Sequence, residues 1–128
     1  DEFDSNRNYL SKIQRYDKVY KAVNSVSHRK EFVDACIDVA LKECDYGIYN
    51  VTNGGYVTTK QVVELMKEKF KLEKEFDYWE DDSEFYSKGA TAARSNCVMD
   101  NTKLLNTGIN MRHCMDAIGE SFDKWVKE

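Results

Sequence analysis

The sequence contains no proline, only two histidines, six glycines and no long apolar run. A membrane-spanning helix needs roughly 20 mostly apolar residues, and the absence of such a stretch argues against a membrane-inserted chain. With no proline and no low-complexity run, nothing marks an internal linker. Because 128 residues fit one folded unit, we expect a single domain over residues 1–128.

Cysteine is sparse, and its spacing carries no metal-binding signature. The four cysteines, none of which forms a CxxC pair, are Cys36, Cys44, Cys97 and Cys114. The two histidines lie far from each other in sequence, so neither a zinc site nor a disulfide framework is expected. Reduced thiols in a cytoplasmic protein are the simpler interpretation.

Positive charge is also in short supply, since 19 basic residues face 23 acidic ones and give a net charge of −4. Binding to nucleic acid needs clustered positive charge, and no basic stripe is present. The first residue is Asp1 rather than methionine, which suggests a piece of a longer chain.

What the sequence does contain is an alternation of helical and strand-like periodicity. The predicted helices cover 6–16, a segment from Ser27 to about Cys44, a segment after Thr58, and about 111–127. The predicted strands cover 18–23, 47–52, 75–79 and 96–99, while residues 81–95 stay ambiguous. Strands that alternate with helices predict a small α/β domain.

Local signals refine three of these elements. Ser27 is the expected N-cap of the second helix, Thr58 and Gln61 match a capping box, and Asp100 is expected to cap a helical turn over 101–106 that Gly108 closes. The second helix carries a face that should be buried, made of Phe32, Val33, Cys36, Ile37, Ala40, Leu41 and Cys44.

Two motifs invite a catalytic interpretation that their context does not support. The pair Gly54-Gly55 follows a predicted strand but lacks the GxGxxG spacing of a dinucleotide-binding loop, so a tight turn is favoured. Tyr56 and Lys60 match the Tyr-x-x-x-Lys pair of short-chain dehydrogenases, which has to lie within a helix. The capping box places Tyr56 before the helix, so we predict that this pair is not catalytic and that the chain has no catalytic residues of its own.

Two charged segments stay open to functional and structural interpretations. An acid–base pair is conceivable in the acidic run made of Glu80, Asp81, Asp82 and Glu84, but a solvated loop is the more common outcome. Arg94 lies in a loop before a predicted strand, where a guanidinium suits bidentate phosphate binding. An ordinary surface arginine is the alternative.

Several stretches together resemble the C-terminal region of extended short-chain dehydrogenase/reductases that act on nucleotide sugars. The nearest branch is similar to dTDP-4-dehydrorhamnose reductases and sugar-nucleotide epimerases. The stretches that carry the resemblance follow the family's order along nearly the whole chain; they are 8–13 (NYLSKI), 24–28 (NSVSH), 32–33 (FV), 47–53 (GIYNVTN), 57–59 (VTT), 94–100 (RSNCVMD) and 103–104 (KL).

The resemblance implies half an enzyme. Arg94 would contact the diphosphate of a nucleotide sugar, Asn8 would lie beside the nucleotide, and His28 would lie near the sugar pocket. An upstream Rossmann half, as the partner of this domain, would bind NAD or NADP and carry the catalytic tyrosine and lysine, and the complete protein could form a homodimer. A stand-alone module that binds a nucleotide sugar or a protein without catalysis is the alternative, as is a structural domain that shares only the fold.

Overall fold

The structure is a computed structural model that describes residues 5–90 and 95–127. This part of the chain is a mixed α/β domain, as the sequence predicted. Its helices are α1 (Tyr9–Arg15), α2 (Arg29–Leu41), α3 (Thr59–Phe70), α4 (Asp82–Glu84), α5 (Thr102–Leu105) and α6 (Cys114–Lys127), with a π-helical turn at Phe85–Gly89. Its strands are β1 (Lys18–Val19), β2 (Val23–Asn24), β3 (Val57–Thr58) and β4 (Asp77–Tyr78).

The first helix is shorter than the predicted 6–16. Asn8 is its N-cap, and the Asn8 side-chain oxygen accepts a hydrogen bond of 3.1 Å from the backbone N–H of Leu10. Asparagine favours this position because its oxygen satisfies one of the free amides of the first turn. Leu10 and Ile13 are buried one turn apart, as their spacing predicted.

The capping box at the start of α3 is confirmed. The Thr58 hydroxyl accepts from the backbone N–H of Gln61, and the Gln61 side chain accepts from the backbone N–H of Thr58. One face of α3, including Val62 and Met66, then packs against α6. These two helices supply most of a core cluster whose buried members are Leu10, Ile13, Val19, Val57, Val62, Val63, Met66, Phe76, Cys114, Ile118, Phe122 and Trp125.

The strands are much shorter than predicted, and they form two separate pairs. β1 runs parallel to β4 with Lys18 opposite Asp77, and β2 runs antiparallel to β3 with Val23 opposite Thr58. The predicted strand 18–23 is therefore divided between two sheets. At 96–99 only Cys97 forms an isolated bridge, to Asn24.

The predicted strand over 47–52 is wrong for the structure, since these residues belong to no ladder. The turn predicted after them is present: Gly54 forms an isolated bridge with His113, and Gly55 has a φ of +77°, which glycine adopts without strain. The segment has β-prone side chains, but no other strand in the described part of the chain pairs with it.

The second helix corrects two predictions. Its N-cap is His28 rather than Ser27, and Ala35 is its only fully buried residue. Most of the face predicted to be buried is exposed, including Phe32, Ile37 and Leu41. The opposite side packs on a second, smaller cluster of Ala35, Leu104, Ile109 and Met111, with Val39, Cys44, Tyr49 and Val51 at its margin.

The packing of α2 and α6 determines how far the thiols are buried. Cys36 is exposed with the outer side of α2, while Cys44 is half-buried at the smaller cluster. The buried thiol is Cys114 in α6, whose pKa is raised by burial. The expectation that Cys36 and Cys44 share a buried face was wrong, because α2 ends at Leu41, before Cys44, and Cys36 is exposed.

The remaining helical signals near the C-terminus hold with small shifts. Asn101 is the N-cap of α5, but the Asp100 side chain accepts from both the backbone N–H and the hydroxyl of Thr102. Gly108 has a φ of +83°, the left-handed conformation predicted for it. Among the described residues, no helix combines the length and the apolar character needed to cross a bilayer.

Candidate ligand-binding site

Two cavities flank α1. The larger has a volume of about 570 Å³ and the smaller about 300 Å³. Arg7 and Tyr9 line both of them, so the two cavities adjoin across the start of the helix. Their volumes lie in the range of pockets that hold small molecules, about 300–1,000 Å³.

The smaller cavity contains two of the three residues that the resemblance assigned to substrate binding. Asn8 comes from the N-cap of α1, and His28 comes from the N-cap of α2. Val26 lies between them in sequence, and Ala117 and Ser121 of α6 close the opposite wall. Residues that are well separated in sequence thus meet at one cavity, where an amide and an imidazole are the principal polar side chains from the two helix starts.

The His28 ring is held in an unusual environment. Its Nδ1 atom is buried and has no hydrogen-bond partner among the described residues, although Glu31 Oε1 lies 3.7 Å away. Burial lowers the pKa of His28, an effect that the nearby carboxylates of Glu31 and Glu120 only partly oppose. Burial therefore favours the neutral imidazole, in which one ring nitrogen donates and the other accepts.

A partly buried polar network fixes the backbone at His28. The Asn53 side-chain oxygen accepts from the His28 backbone N–H at 2.7 Å, and the Asn53 amide donates to Glu31 Oε2 at 2.8 Å and to the Arg112 carbonyl at 3.2 Å. Glu31 also accepts from the guanidinium and the backbone N–H of Arg112. Burial acts to raise the pKa of Glu31, but these hydrogen bonds hold it below its usual value.

The larger cavity has an aromatic wall. The rings of Tyr20 and Phe85 are stacked with centroids 4.0 Å apart, and Trp79 meets Phe85 edge-on at 6.0 Å. Gly89 lets the chain approach this wall closely, because a Cβ at this position would lie 2.8 Å from Phe85 Cδ2 and 2.9 Å from Trp79 Cζ2. The wall is thus built from the residues that directly follow β1 and β4 and from the π-helical turn.

Cationic side chains accompany the aromatic ones. Arg7, Lys12 and Lys18 line the larger cavity, and Lys18 Nζ lies 4.3 Å above the Trp79 ring and 3.4 Å from Glu84 Oε1. The acidic residues at 81–84 form hydrogen bonds and ion pairs with neighbouring groups. Asp81 caps α4 and Asp82 accepts from the Tyr20 hydroxyl at 2.8 Å.

Arg94, the third predicted binding residue, lies outside the described residues. Its neighbour in sequence, Ser95, lines the larger cavity, and so does Ala90. The structure brings Asn8 and His28 together but provides no position for Arg94.

The two rejected catalytic motifs have the context that the sequence predicted. Tyr56 precedes β3 and is exposed, while Lys60 is in the first turn of α3 and pairs with Glu64 at 3.8 Å. The Gly54 N–H donates to the Arg112 carbonyl at 2.9 Å, and its own carbonyl accepts from Cys114. A Cβ on Gly55 would meet the His113 ring. The Gly54 amide is thus engaged within the chain and is not available to a pyrophosphate.

Sequence reasoning missed the network of Glu31, Asn53 and Arg112, because these residues lie 22 and 81 positions apart along the chain. It also missed the aromatic and lysine lining of the larger cavity. The available signal was the clustering of aromatic residues at 76–86 next to the acidic run. Among residues 5–90 and 95–127, no group of three or more histidine, cysteine, aspartate or glutamate side chains could hold a metal ion.

No protein-family model matches the chain. The chain is 34% identical over 122 residues to a trifunctional UDP-glucose 4,6-dehydratase/UDP-4-keto-6-deoxy-D-glucose 3,5-epimerase/UDP-4-keto-L-rhamnose-reductase of Arabidopsis thaliana, a match that covers 95% of this chain and 17% of the relative. It is also 34% identical over 98 residues to the bifunctional dTDP-4-dehydrorhamnose 3,5-epimerase/dTDP-4-dehydrorhamnose reductase of the same plant, covering 77% of this chain and 32% of the relative. The chain thus spans less than a third of the length of these curated relatives.

Two solved structures share the fold. The UDP-rhamnose synthase of Acanthamoeba polyphaga mimivirus superposes with a TM-score of 0.81 at 22% identity, over 95% of this chain and 42% of that chain. A dTDP-4-dehydrorhamnose reductase of Clostridium acetobutylicum superposes with a TM-score of 0.73 at 14% identity, over 97% of this chain and 45% of that chain. The predicted resemblance is confirmed at this level: the chain is similar to a region of nucleotide-sugar epimerase and reductase enzymes of the rhamnose type.

Proposed function

We propose that the chain is the nucleotide-sugar-binding, C-terminal part of an NAD(P)-dependent sugar-nucleotide epimerase or reductase of the extended short-chain dehydrogenase/reductase family. The observation that carries this proposal is the meeting of Asn8 and His28 at one cavity, beside a second cavity lined by aromatic and cationic side chains. The relatives named above, which act on UDP- or dTDP-linked sugars, support it. The proposal includes a cytoplasmic location, which rests on the free cysteines of the chain.

The two cavities suit the two chemical parts of such a ligand. A nucleoside diphosphate needs aromatic surface for its base and cations for its phosphates, and Trp79, Lys12 and Lys18 offer both in the larger cavity. Arg94 is proposed as a further diphosphate ligand. A sugar carries hydroxyl groups that both donate and accept hydrogen bonds, and Asn8 and the neutral His28 imidazole complement them in the smaller cavity.

The cofactor would be held elsewhere. The only adjacent glycine pair, Gly54-Gly55, has its backbone engaged by the segment around Arg112 and His113, so it does not fit a dinucleotide pyrophosphate. NAD or NADP and the catalytic tyrosine and lysine are therefore assigned to a Rossmann half outside this chain. Since hydride transfer would take place there, the chain alone is expected to be inactive.

Calorimetry with UDP and dTDP on the complete gene product tests the proposal. Asn8→Ser keeps an N-cap oxygen but removes the amide, so it should weaken binding without lowering the melting temperature. Arg94→Ala should weaken binding about tenfold or more, because a charge-assisted hydrogen bond contributes roughly 1.5–3 kcal/mol. Lys60→Ala, on the exposed side of α3, is the matched control and should leave the affinity unchanged.

Unchanged affinity in both variants would contradict the assignment of the site. If the complete gene product binds UDP but shows no turnover of a UDP-linked keto sugar with NADH or NADPH, the stand-alone binding module becomes the better description. Turnover by the isolated 128-residue chain would contradict the proposal that the catalytic residues lie outside it.

A further inference from the structure

Glu31 lies beside the His28 ring without being bonded to it. Its Oε1 atom is 3.7 Å from His28 Nδ1, and the two side chains are only 17% and 16% exposed. A carboxylate this close to a largely buried imidazole normally pairs with it and favours the protonated ring. Yet Nδ1 has no hydrogen-bond partner among the described residues. The reason lies in the other contacts of the Glu31 carboxylate.

The donors that occupy Glu31 come chiefly from Arg112. Arg112 Nε donates to Glu31 Oε1 at 2.8 Å, Nη2 donates to the same oxygen, and the Arg112 backbone N–H donates to Oε2 at 3.3 Å. The Asn53 amide adds a hydrogen bond of 2.8 Å to Oε2. A carboxylate offers about four lone-pair sites. Each oxygen of Glu31 thus accepts two hydrogen bonds, and the His28 ring would be a fifth donor.

The remaining charges around His28 are arranged in the same sense. The titratable groups that act on the imidazole or share its cavity are Glu31 of α2, Arg112 before α6, Glu120 and Lys124 of α6, and Arg7 and Tyr9 at the start of α1. Glu120 is itself bound by Arg112 Nη1 and by Lys124. Arg112 therefore contacts both of the carboxylates that favour a charged ring, while burial lowers the pKa of His28.

We propose that Arg112 is a positioning residue for the smaller cavity: by occupying Glu31 it withholds this carboxylate from His28 and leaves the imidazole neutral. This inference rests on the proposed function, which assigns His28 to sugar binding. A neutral imidazole donates from one nitrogen and accepts at the other, whereas an imidazolium only donates. Arg112 is not among the residues that line the cavity. It thereby preserves the accepting nitrogen of His28 for a sugar hydroxyl without contacting the ligand.

NMR titration of the complete gene product, labelled with 13C in its histidine rings, measures the pKa of His28. The signal of this ring is identified by its loss in His28→Gln. In the parent protein the pKa should lie below 6.5. Arg112→Gln removes the cation and the paired donors, so that Glu31 can bind the ring, and the pKa of His28 should rise by about one unit or more. A parent value above 6.5 would contradict the proposal.

A double-mutant cycle shows whether Glu31 mediates the effect. In a Glu31→Gln background, Arg112→Gln should change the pKa of His28 by less than about 0.3, because no carboxylate is released. Lys124→Gln is the matched control, since it removes an equal charge that also acts on this ring but no donor to Glu31. Its effect should be similarly small. An equal rise with and without Glu31 would overturn the proposal.

Arg112→Lys guards against a loss of the fold, because Arg112 also binds Glu120. A lysine ammonium keeps the charge but cannot reproduce the paired hydrogen bonds from Nε and Nη2 to one carboxylate oxygen. The pKa of His28 should therefore still rise, by about half as much as in Arg112→Gln. An unchanged pKa of His28 in a folded variant of either kind would overturn the proposal.

Calorimetry with UDP-glucose and with UDP over a range of pH lets the two proposals fail separately. The pH below which UDP-glucose affinity declines should move upward in Arg112→Gln together with the pKa of His28, whereas the affinity for UDP should keep its pH dependence. A raised pKa of His28 in a protein that binds neither ligand supports the control of His28 by Arg112 and contradicts the proposed function. UDP-glucose binding whose pH dependence ignores the pKa of His28 supports the proposed function and overturns the positioning role.

Discussion

The helices α6 and α2 both carry apolar residues at three- or four-residue spacing, but these side chains are buried in α6 and exposed in α2. In α6, Ile118, Phe122 and Trp125 are buried against α3 and its surroundings. In α2, Val33, Ile37 and Leu41 recur every four residues and stay exposed. Periodicity therefore identifies the side of a helix that is suited to burial, but it does not specify whether the partner that covers it belongs to the same stretch of chain.

The largest effect on stability is expected when one side chain of each helix is replaced by alanine in the 128-residue chain. Phe122 is fully buried and meets Phe70 and Trp125 edge-on at 5.4 and 5.8 Å, so Phe122→Ala should lower the free energy of unfolding by about 3–5 kcal/mol. Ile37→Ala removes exposed atoms and should change it by less than about 0.5 kcal/mol. Urea unfolding measures both, and a similar loss in the two variants would contradict the contrast between the helices.

A second test concerns the link between the two regions. Asn53 is 1% exposed and joins the start of α2 to Arg112, just before α6, through three hydrogen bonds. Asn53→Ala leaves those partners unsatisfied and should lower the free energy of unfolding by about 1–3 kcal/mol. Asn50→Ala is the matched control, because its amide donates to the Asp100 carbonyl at an exposed position. Equal effects on chemical unfolding would show that Asn53 is not a link of this kind.

The smallest effect is a pH dependence at the start of α2. Because burial lowers the pKa of His28 from 6.5, the unfolded chain takes up the proton first, and stability should fall as the pH drops below about 6.5. The neighbouring Glu31 and Glu120 have lowered pKa values, that of Glu120 about 2, so their contributions are lost only in more acidic solution. Arg112 and Lys124 are the basic side chains that also act on this imidazole, and both favour its neutral form.

His28→Gln should therefore reduce the difference in unfolding free energy between pH 7.5 and pH 5.5, as measured by urea titration. A variant that loses as much stability as the parent over this interval would show that His28 is protonated equally well in the folded and unfolded chains.

Local signals predicted the elements whose causes are local. The capping box at Thr58, the left-handed Gly108 and the buried side of α6 depend on residues within one or two turns of each other. Whether a β-prone segment forms a strand depends on a second strand that pairs with it. Residues 47–52 have strand-forming side chains, but a strand exists only where another strand supplies hydrogen bonds, and none does so within the described structure.

In the candidate site, too, some residues were predicted from the sequence and others were not. Asn8 and His28 were predicted through the resemblance, and the structure places both at the smaller cavity, while their binding roles stay a prediction. Arg94 is outside the described residues. The network of Glu31, Asn53 and Arg112 was not predictable from one sequence, because nothing in the local pattern at residue 31 specifies a partner at residue 112.

By itself the sequence determined the alternating helices and β-prone segments and the capped start of α3, which places Tyr56 before the helix. Each of these is set by residues close together along the backbone. Only the tertiary structure decided which apolar sides are covered, which β-prone segments pair, and which polar side chains line the two cavities. Those outcomes depend on contacts between distant segments, and at α2 the sequence carries an apolar surface for which the described structure contains no partner.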